Sequence, residues 1–142
     1  MTRKAELTRK TSETQVSLSL NLDQAEPGTI KSGSGFLDHM LDLFQVHRGT
    51  SLNLDCAGDT HIDMHHSIED IGIVLGQAFS QCLGNKKGIE RYGFYYVPMD
   101  EALARVALDF SGRIGFVWNV EITNERIGNL ELELFEHFFK SV

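Results

Sequence analysis

Two imidazoles and one carboxylate lie within five residues of this chain, in the run His65-His66-Ser67-Ile68-Glu69. Neutral imidazole and carboxylate are the side chains that hold divalent transition metals such as manganese, zinc or iron. A helix turns by about 100° per residue, so either histidine can share a helix face with Glu69, three or four positions later. His65 and His66 are consecutive residues, so on a helix their side chains point about 100° apart. As ligands, they would therefore serve different metal ions. A solvated helix start with exposed polar side chains is the alternative.

Two further histidines, His39 and His47, flank an apolar segment with helical spacing. Eight residues separate them, which is roughly two turns and about 80° of rotation, so one helix cannot present both rings to a single ion. Asp38 precedes His39 and is placed to orient its imidazole. A histidine satisfied at a helix end is the alternative for each. His61 and His137 give a weaker signal, and we interpret His137 as a core-edge histidine.

Candidate groups for moving a proton or holding an anion lie outside the histidine-rich segments. Glu13 stands just before the first predicted strand, where a carboxylate is usually solvated. Arg91 and Arg113 each lie beside a glycine at a predicted turn, from which a guanidinium can grip a phosphate with two hydrogen bonds. Ordinary surface arginines are the alternative. No GxGxxG fingerprint, P-loop or nucleophile motif accompanies these residues.

The composition is that of a globular chain: 142 residues, 42% apolar and 23% charged, enough for one domain with a substantial core. A net charge of −7 argues against a nucleic-acid partner but leaves room for a small anionic substrate. Cys56 and Cys82 are widely spaced and indicate buried thiols in a reducing compartment. Neither a membrane-spanning run nor a secretory signal is evident, so we expect a cytoplasmic protein.

The elements that position these groups follow from the spacing of apolar residues. A basic N-terminal arm, flexible or an edge strand, precedes a strand at residues 14–22, in which apolar and polar side chains alternate. Pro27-Gly28 predicts a turn into a return strand. The first half therefore reads strand, strand, helix, strand, helix, with strands at residues 14–22, 29–34 and 50–56 and helices at residues 36–46 and from 65 to about 84.

The second half starts the same order again, which indicates an internal duplication. The pattern predicts strands at residues 103–110 and 114–122 and a helix at residues 130–142. We therefore predict a first half-domain at residues 1–88, which carries the HHxxE helix, and an incomplete second half-domain at residues 89–142. Compared with the first copy, the second lacks one strand and one histidine-bearing helix.

Taken together, these segments closely resemble the imidazoleglycerol-phosphate dehydratase family of histidine biosynthesis. The resemblance covers essentially the whole chain after its first ten residues, and its motifs occur in the right order. They are Glu13-Thr14, GFLDHML at residues 35–41, Gly58-Asp59, DMHHSIEDIG at residues 63–72, RYG at residues 91–93, PMDE at residues 98–101 and DFSGR at residues 109–113.

The resemblance implies an α+β fold of two tandem ferredoxin-like, ribosomal-S5-domain-2-like half-domains (strand-strand-helix-strand-helix), with the second copy truncated. It implies removal of water from D-erythro-imidazole-glycerol phosphate to give imidazole-acetol phosphate, a reaction of a manganese-dependent carbon-oxygen hydro-lyase. Two Mn²⁺ ions per complete site would act as Lewis acids and as a template for the substrate imidazole. It also implies a large homo-oligomer, a 24-subunit assembly with shared active sites, or a trimer or other smaller form for a truncated chain.

Residue by residue, the resemblance assigns roles to the candidates above. Implied metal ligands are His39, His65, His66 and Glu69. The same four residues would bind substrate together with His47, Glu13, Arg91 and Arg113, of which the two arginines would hold the phosphate or its neighbouring hydroxyls. Implied catalytic residues are Glu13, His65 and Glu69, with Glu13 moving protons.

This sequence departs from the family pattern in its second half. The family's second HHxxE helix and its lysine-bearing tail have no counterpart before Val142. We therefore expect half of the ligand set and weak or absent activity of this polypeptide alone. A zinc-dependent hydrolase is an alternative, although HHxxE is neither HExxH nor its inverted form. A non-catalytic metal-binding or assembly module is another.

Overall fold

The computed structural model describes residues 2–142 and divides the chain into two compact units. Unit 1 combines Met1–Gly84 with Trp118–Val142, and unit 2 is Asn85–Val117. The confirmed fold class is α+β. Across residues 2–142, the structure contains no helix that is both long and apolar enough to cross a membrane.

A four-stranded sheet forms one layer of unit 1. Its strands are β1 (Lys4–Lys10), β2 (Thr14–Asn21), β3 (Ile30–Lys31) and β4 (Ser51–Gly58), in the order β1-β2-β4-β3. The predicted alternation of β2 is confirmed, because Val16, Leu18 and Leu20 are buried while the residues between them are not. The basic N-terminal arm is the edge strand β1, antiparallel to β2.

The prediction of a return strand at residues 29–34 is wrong in length and in pairing. Only Ile30–Lys31 is a strand, and it runs parallel to β4. Because β1 and β4 occupy both edges of β2, no edge of β2 remains for a hairpin partner. The chain instead crosses beside β4, where the Leu54 N–H donates to the Thr29 carbonyl at 2.9 Å.

Two helices of the first half match their predictions closely. Helix α1 (Gly35–Arg48) buries Leu37, Leu41 and Gln45, which are spaced four residues apart, and it ends at Gly49 in a left-handed conformation (φ 66°). Helix α2 (His65–Leu83) buries the apolar stripe that packs on β1, β2 and β4, namely Ile68, Ile71, Val74, Leu75, Ala78 and Cys82. The sheet and these helices enclose the core of unit 1.

A third helix, α3 (Leu134–Ser141), packs against α2 at two glycines. A side chain at Gly72 would start 2.8 Å from the Phe138 carbonyl oxygen, and one at Gly76 would overlap the Val142 carbonyl. Glycine at these two positions therefore permits the close approach of the helices. Helix α3 lies within the predicted helix at residues 130–142, whose first residues instead form part of a short hairpin, β7 (Arg126–Ile127) and β8 (Leu130–Glu131).

Unit 2 consists largely of one antiparallel hairpin, β5 (Tyr92–Met99) and β6 (Ala102–Asp109). Strand β6 confirms the strand predicted at residues 103–110, whereas β5 was not predicted. Every residue of both strands is exposed within the chain. The strand predicted at residues 114–122 is wrong, because that segment has no partner strand and forms no regular element.

The compact units do not follow the division at residues 88 and 89. Helix α3 belongs to unit 1 with the first-half elements, so unit 1 is discontinuous in the sequence. A duplicated sequence and a compact unit are different properties, and the two predicted half-domains stay a prediction.

Candidate active site

Contacts of Met64 and Asp63, the two residues before α2, hold the start of this helix and thereby position the HHxxE run. Met64, immediately before the helix, is 1% exposed. Asn129, in the turn between β7 and β8, donates a hydrogen bond to the Gly33 carbonyl at 2.8 Å and contacts the Met64 sulfur at 3.7 Å. The Asp63 carboxylate accepts from the His65 backbone N–H at 2.8 Å. His65 is therefore half-buried, whereas Glu69 is exposed one turn later.

His66 is paired with Asp59, a residue of the Gly58-Asp59 motif to which the sequence analysis assigned no role. Its Nδ1 lies 3.0 Å from Oδ2 of Asp59, which follows the last residue of β4. This hydrogen bond is the main cause that raises the pKa of His66. When Nδ1 donates to Asp59, Nε2 carries the free lone pair and can serve as a ligand. The other oxygen of Asp59 is buried and has no protein partner among the described residues.

Asp70 fastens the turn between β1 and β2 to α2. Its buried carboxylate accepts from the Arg9 Nε at 2.7 Å, from the Thr14 hydroxyl and, at 3.5 Å, from the Thr11 hydroxyl. Burial opposes ionisation of Asp70, but the hydrogen bonds from Thr14 and Arg9 outweigh it and lower its pKa. The turn held in this way carries Glu13.

Glu13 lies close enough to His66 for their charges to interact. The Ser12 hydroxyl donates to Glu13 Oε1 at 2.6 Å, and this bond is the main cause that lowers the pKa of Glu13. Glu13 is therefore ionised at neutral pH, with Oε2 outside that hydrogen bond. We call Glu13, Asp59, His65 and His66 the histidine cluster.

His137, which we interpreted as a core-edge histidine, is exposed on α3 with its ring beside His65. The ring centroids of His65 and His137 are 5.1 Å apart, and those of His65 and His66 are 6.1 Å apart. The packing of α3 on Gly72 brings His137 to this position. Sequence spacing gave no signal for this contact, because His137 is distant in the chain.

The structure does not bring all predicted metal ligands together within one chain. The side chains of His39 and His47 are exposed on α1, and within residues 2–142 neither makes a hydrogen bond, ion pair or ring contact. No three His, Cys, Asp or Glu side chains of the described chain converge as a metal-binding group. Asp38, expected to orient His39, instead accepts from the Ser32 N–H at 2.7 Å and from its hydroxyl at 2.5 Å.

The donors at the start of α2 nevertheless fit a divalent metal. An imidazole whose Nδ1 is held by a carboxylate is the usual arrangement of a metal-ligating histidine, and Asp59 provides it for His66. His65 adds a second imidazole and Glu69 a carboxylate, both of which are donors to divalent transition metals. These residues could hold part of a coordination shell.

Unit 2 contains a cluster of cations around one carboxylate. The Arg91 guanidinium donates two hydrogen bonds to Asp109, at 2.6 and 3.1 Å, and lies 4.9 Å from the centre of the Tyr92 ring. The Arg91 hydrogen bond is the main cause that lowers the pKa of Asp109, and the charges of Arg113 and Lys86 add to it. We call Lys86, Arg91 and Arg113 the cationic cluster. The sequence pattern had indicated the two arginines but not Lys86.

Known proteins share this fold and these motifs. The family model described as imidazoleglycerol-phosphate dehydratase matches residues 32–142. The chain is 54% identical over 136 residues to the imidazoleglycerol-phosphate dehydratase of Cellvibrio japonicus (strain Ueda107), covering 96% of this chain and 69% of that protein. It is 53% identical over 142 residues to the same-named protein of Acetivibrio thermocellus, covering 73% of that relative. The crystal structure of the imidazoleglycerol-phosphate dehydratase from Staphylococcus aureus subsp. aureus N315 matches with a TM-score of 0.85 and 42% identity, over 97% of this chain and 75% of that one.

The shared fold and motifs define this protein as a dehydratase, a member of the lyase class. Sequence and structure comparisons agree on this class over nearly the entire chain. The chain belongs to the imidazoleglycerol-phosphate dehydratase family. The family membership expected from the motifs is confirmed.

Proposed function

We propose that this chain is a manganese-dependent dehydratase of histidine biosynthesis, which acts on imidazoleglycerol phosphate through the histidine cluster and Glu69. Family membership supports the reaction and the pathway. The observation that carries the assignment of the site is the 3.0 Å contact between His66 Nδ1 and Asp59. It orients the imidazole so that Nε2 is available to a ligand.

The proposed ligands on this chain are His39, His65, His66 and Glu69. When bound, Mn²⁺ supplies Lewis-acid stabilisation of the substrate imidazole. Manganese is commonly octahedral with nitrogen and oxygen ligands, so four side chains are few for two ions. We therefore propose that one chain provides part of a site, that His39 acts beside a neighbouring chain, and that the isolated polypeptide turns over weakly.

Glu13 is the proposed general acid and base, and His65 and Glu69 are the other proposed catalytic residues. A lowered pKa keeps the Glu13 carboxylate ionised and able to accept a proton. Ser12 occupies Oε1, so the proton from the glycerol chain of the substrate would go to Oε2. Proton transfer by a positioned carboxylate contributes roughly 10²- to 10⁴-fold in rate. The Asp70 contacts hold the turn that carries Glu13 in place.

Arg91 and Arg113 are the proposed phosphate-binding residues, and His47 is a proposed further contact of the substrate. Asp109 holds the Arg91 guanidinium through two donors, which limits its freedom before substrate binds. A guanidinium restrained in this way loses less side-chain entropy when it binds an anion. Two cationic side chains suit a phosphate monoester, which is a dianion at neutral pH.

A homo-oligomer is proposed as well, and the hairpin of unit 2 supports it. One face of the hairpin is apolar along its length, and its large side chains are each more than half exposed within the chain: Tyr95, Val97, Met99, Val106 and Leu108. A two-stranded hairpin with such a face is not stable in water without a cover. The family's 24-subunit form is the assembly implied. We expect Val106→Lys to reduce self-association in sedimentation experiments, with Arg105→Lys on the opposite face as control.

The proposed compartment is the cytoplasm. Cys56 and Cys82 are both free thiols in the structure, which suits a reducing environment.

Metal binding and turnover together test the proposed site. Loss of the free Mn²⁺ signal in electron paramagnetic resonance measures binding, and the same samples are assayed for dehydration of imidazoleglycerol phosphate. We expect His66→Ala to weaken Mn²⁺ binding and turnover at least tenfold, whereas His61→Ala, an exposed histidine of the same segment, changes neither. Equal behaviour of the two variants would contradict the proposed site. Stoichiometric zinc without dehydration would favour the hydrolase, and absence of any bound metal would favour the non-catalytic module.

A further inference from the structure

Lys86 lies in an unusual backbone conformation at the beginning of unit 2. Its φ of 59° places it in the left-handed region, which is rare for lysine. Its side chain is half-buried in the chain, although lysine usually extends into water. Part of the Lys86 side chain therefore packs against a neighbouring residue.

That neighbour is Gly112. A Cβ on Gly112 would lie 2.9 Å from the Lys86 ammonium nitrogen, so the ammonium occupies the space where a side chain would begin. Gly112 also has a φ of 83°, which glycine adopts without strain. Glycine at position 112 therefore leaves room for the Lys86 ammonium at the residue next to Arg113.

The charges of this region do not cancel within the chain. Arg91 is paired with Asp109, but among residues 2–142 neither Lys86 nor Arg113 lies within ion-pair distance of a carboxylate. Both act on Asp109 only through space. Three cations and one carboxylate leave a net charge of about +2, in a chain whose total charge is −7. A phosphate monoester dianion has the charge that balances this excess.

We propose that Lys86 is a third phosphate-binding residue of the cationic cluster, which contacts the phosphate of the substrate together with Arg91 and Arg113. This inference rests on the proposed function, which gives the two arginines the phosphate. Arg91 and Arg113 supply planar, bidentate donors. Lys86 adds a compact ammonium, so the phosphate oxygens meet donors of both kinds.

The neighbouring lysine provides a matched control. Lys87 carries the same charge one residue later, but it is exposed and does not come within 4 Å of the position that a Cβ on Gly112 would take. The measurement follows the Gly112 amide by ¹H–¹⁵N NMR during titration with inorganic phosphate at constant ionic strength. We expect Lys86→Met to raise the phosphate Kd about tenfold, which corresponds to the loss of one charge-assisted contact. Lys87→Met changes it less than about twofold, as general screening predicts.

Two further variants guard against an effect of folding. Lys86→Asn keeps a residue that tolerates the left-handed region, and we expect it to lose phosphate affinity as Lys86→Met does while its spectrum stays native. Lys86→Arg keeps the charge and restores most of the affinity. Equal Kd values for Lys86→Met, Lys87→Met and the unmodified chain would overturn the proposal for Lys86.

The outcome also separates this inference from the proposed function. Suppose that the unmodified chain binds phosphate and that Arg113→Met weakens this binding. If Lys86→Met then leaves the phosphate Kd unchanged, Lys86 is excluded as a phosphate-binding residue, and the arginines keep their proposed role. If the unmodified chain does not respond to phosphate at all, both assignments fail. Chloride at the same ionic strength serves as the control for unspecific anion binding.

Discussion

Replacement of Asp70 by asparagine tests whether a buried carboxylate holds the N-terminal hairpin to α2. Asp70 is 6% exposed, and it accepts hydrogen bonds from Arg9 and from the Thr14 hydroxyl. Asparagine keeps the shape of the side chain and one acceptor oxygen, but it removes the negative charge. Its NH2 group also points at either the Arg9 Nε–H or the Thr14 hydroxyl, both of which donate to Asp70. The Thr14 hydroxyl can rotate to accept from that amide, whereas the Arg9 Nε–H cannot.

The expected loss can be worked from these contacts. A hydrogen bond to a charged group contributes about 1.5–3 kcal/mol to stability. The Arg9 side chain is 38% exposed, so solvent replaces part of that contribution. We therefore expect Asp70→Asn to lower the free energy of unfolding by about 2 kcal/mol at pH 7. With a urea dependence of about 2 kcal/mol per molar, the unfolding midpoint falls by about 1 M.

The contribution of Asp70 to the free energy of unfolding depends on pH, and its direction follows from the lowered pKa of this carboxyl group. The pKa of Asp70 lies below its unfolded value of 3.8, so its contribution is present above about pH 4 and is lost as the pH falls through the folded pKa. Asparagine does not titrate. The stability difference between the two proteins should therefore narrow as the solution is acidified.

The assay is urea unfolding followed by far-ultraviolet circular dichroism, with a chelator present to remove metal. All three helices of residues 2–142 lie in unit 1, so the helical signal reports on that unit. Asp23→Asn, in the exposed pair with Arg3, serves as the control and should change the midpoint much less. A difference for Asp70→Asn below about 0.5 kcal/mol, or one that does not change with pH, would refute the reasoning.

Two other predictions follow from the packing and the site. Gly72→Ala should destabilise unit 1 by about 1–3 kcal/mol and release α3, because the added methyl group meets the Phe138 carbonyl. The fluorescence of Trp118 measures this loss of stability. Gly35→Ala is the control, because its methyl group meets no atom within 4 Å. Asp59→Asn should lower the pKa of His66 towards its ordinary range, because the substitution removes the hydrogen bond that is the main cause of the raised pKa. The pKa is measured by ¹H NMR titration of the metal-free protein. An unchanged pKa would show that Asp59 is not the partner of His66.

Local patterns predicted the elements in which one sequence period dominates. Alternation of apolar and polar side chains identified β2, and the apolar stripe after His65 identified α2. Strand β5 was missed because apolar and aromatic residues occupy both of its faces, from Tyr92 to Met99, so no alternation is visible. The segment 114–122 has apolar residues but pairs with no strand among residues 2–142, and no local pattern carries that information.

The same limit applies to the site. The HHxxE spacing is local, and it indicated the proposed metal ligands on α2. The groups that orient the site are recruited over long sequence distances: Thr14 and Arg9 reach Asp70, and Asn129 reaches Gly33. His66 and Asp59 are only seven residues apart, but a helix start and a strand end separate them. Tertiary contacts of this kind are not encoded in any single spacing.

The discontinuity of unit 1 has a consequence for biosynthesis on the ribosome. The face of α2 that carries Gly72 and Gly76 is covered by α3. The ribosome synthesises all of unit 2 after α2 and before α3. Folding of unit 1 therefore cannot finish in step with translation from the N-terminus. The sheet and α2 can form early, but α3 must dock through contacts of large sequence separation, which form slowly. Until α3 docks, the face of α2 around Gly72 and Gly76 stays uncovered in the emerging chain.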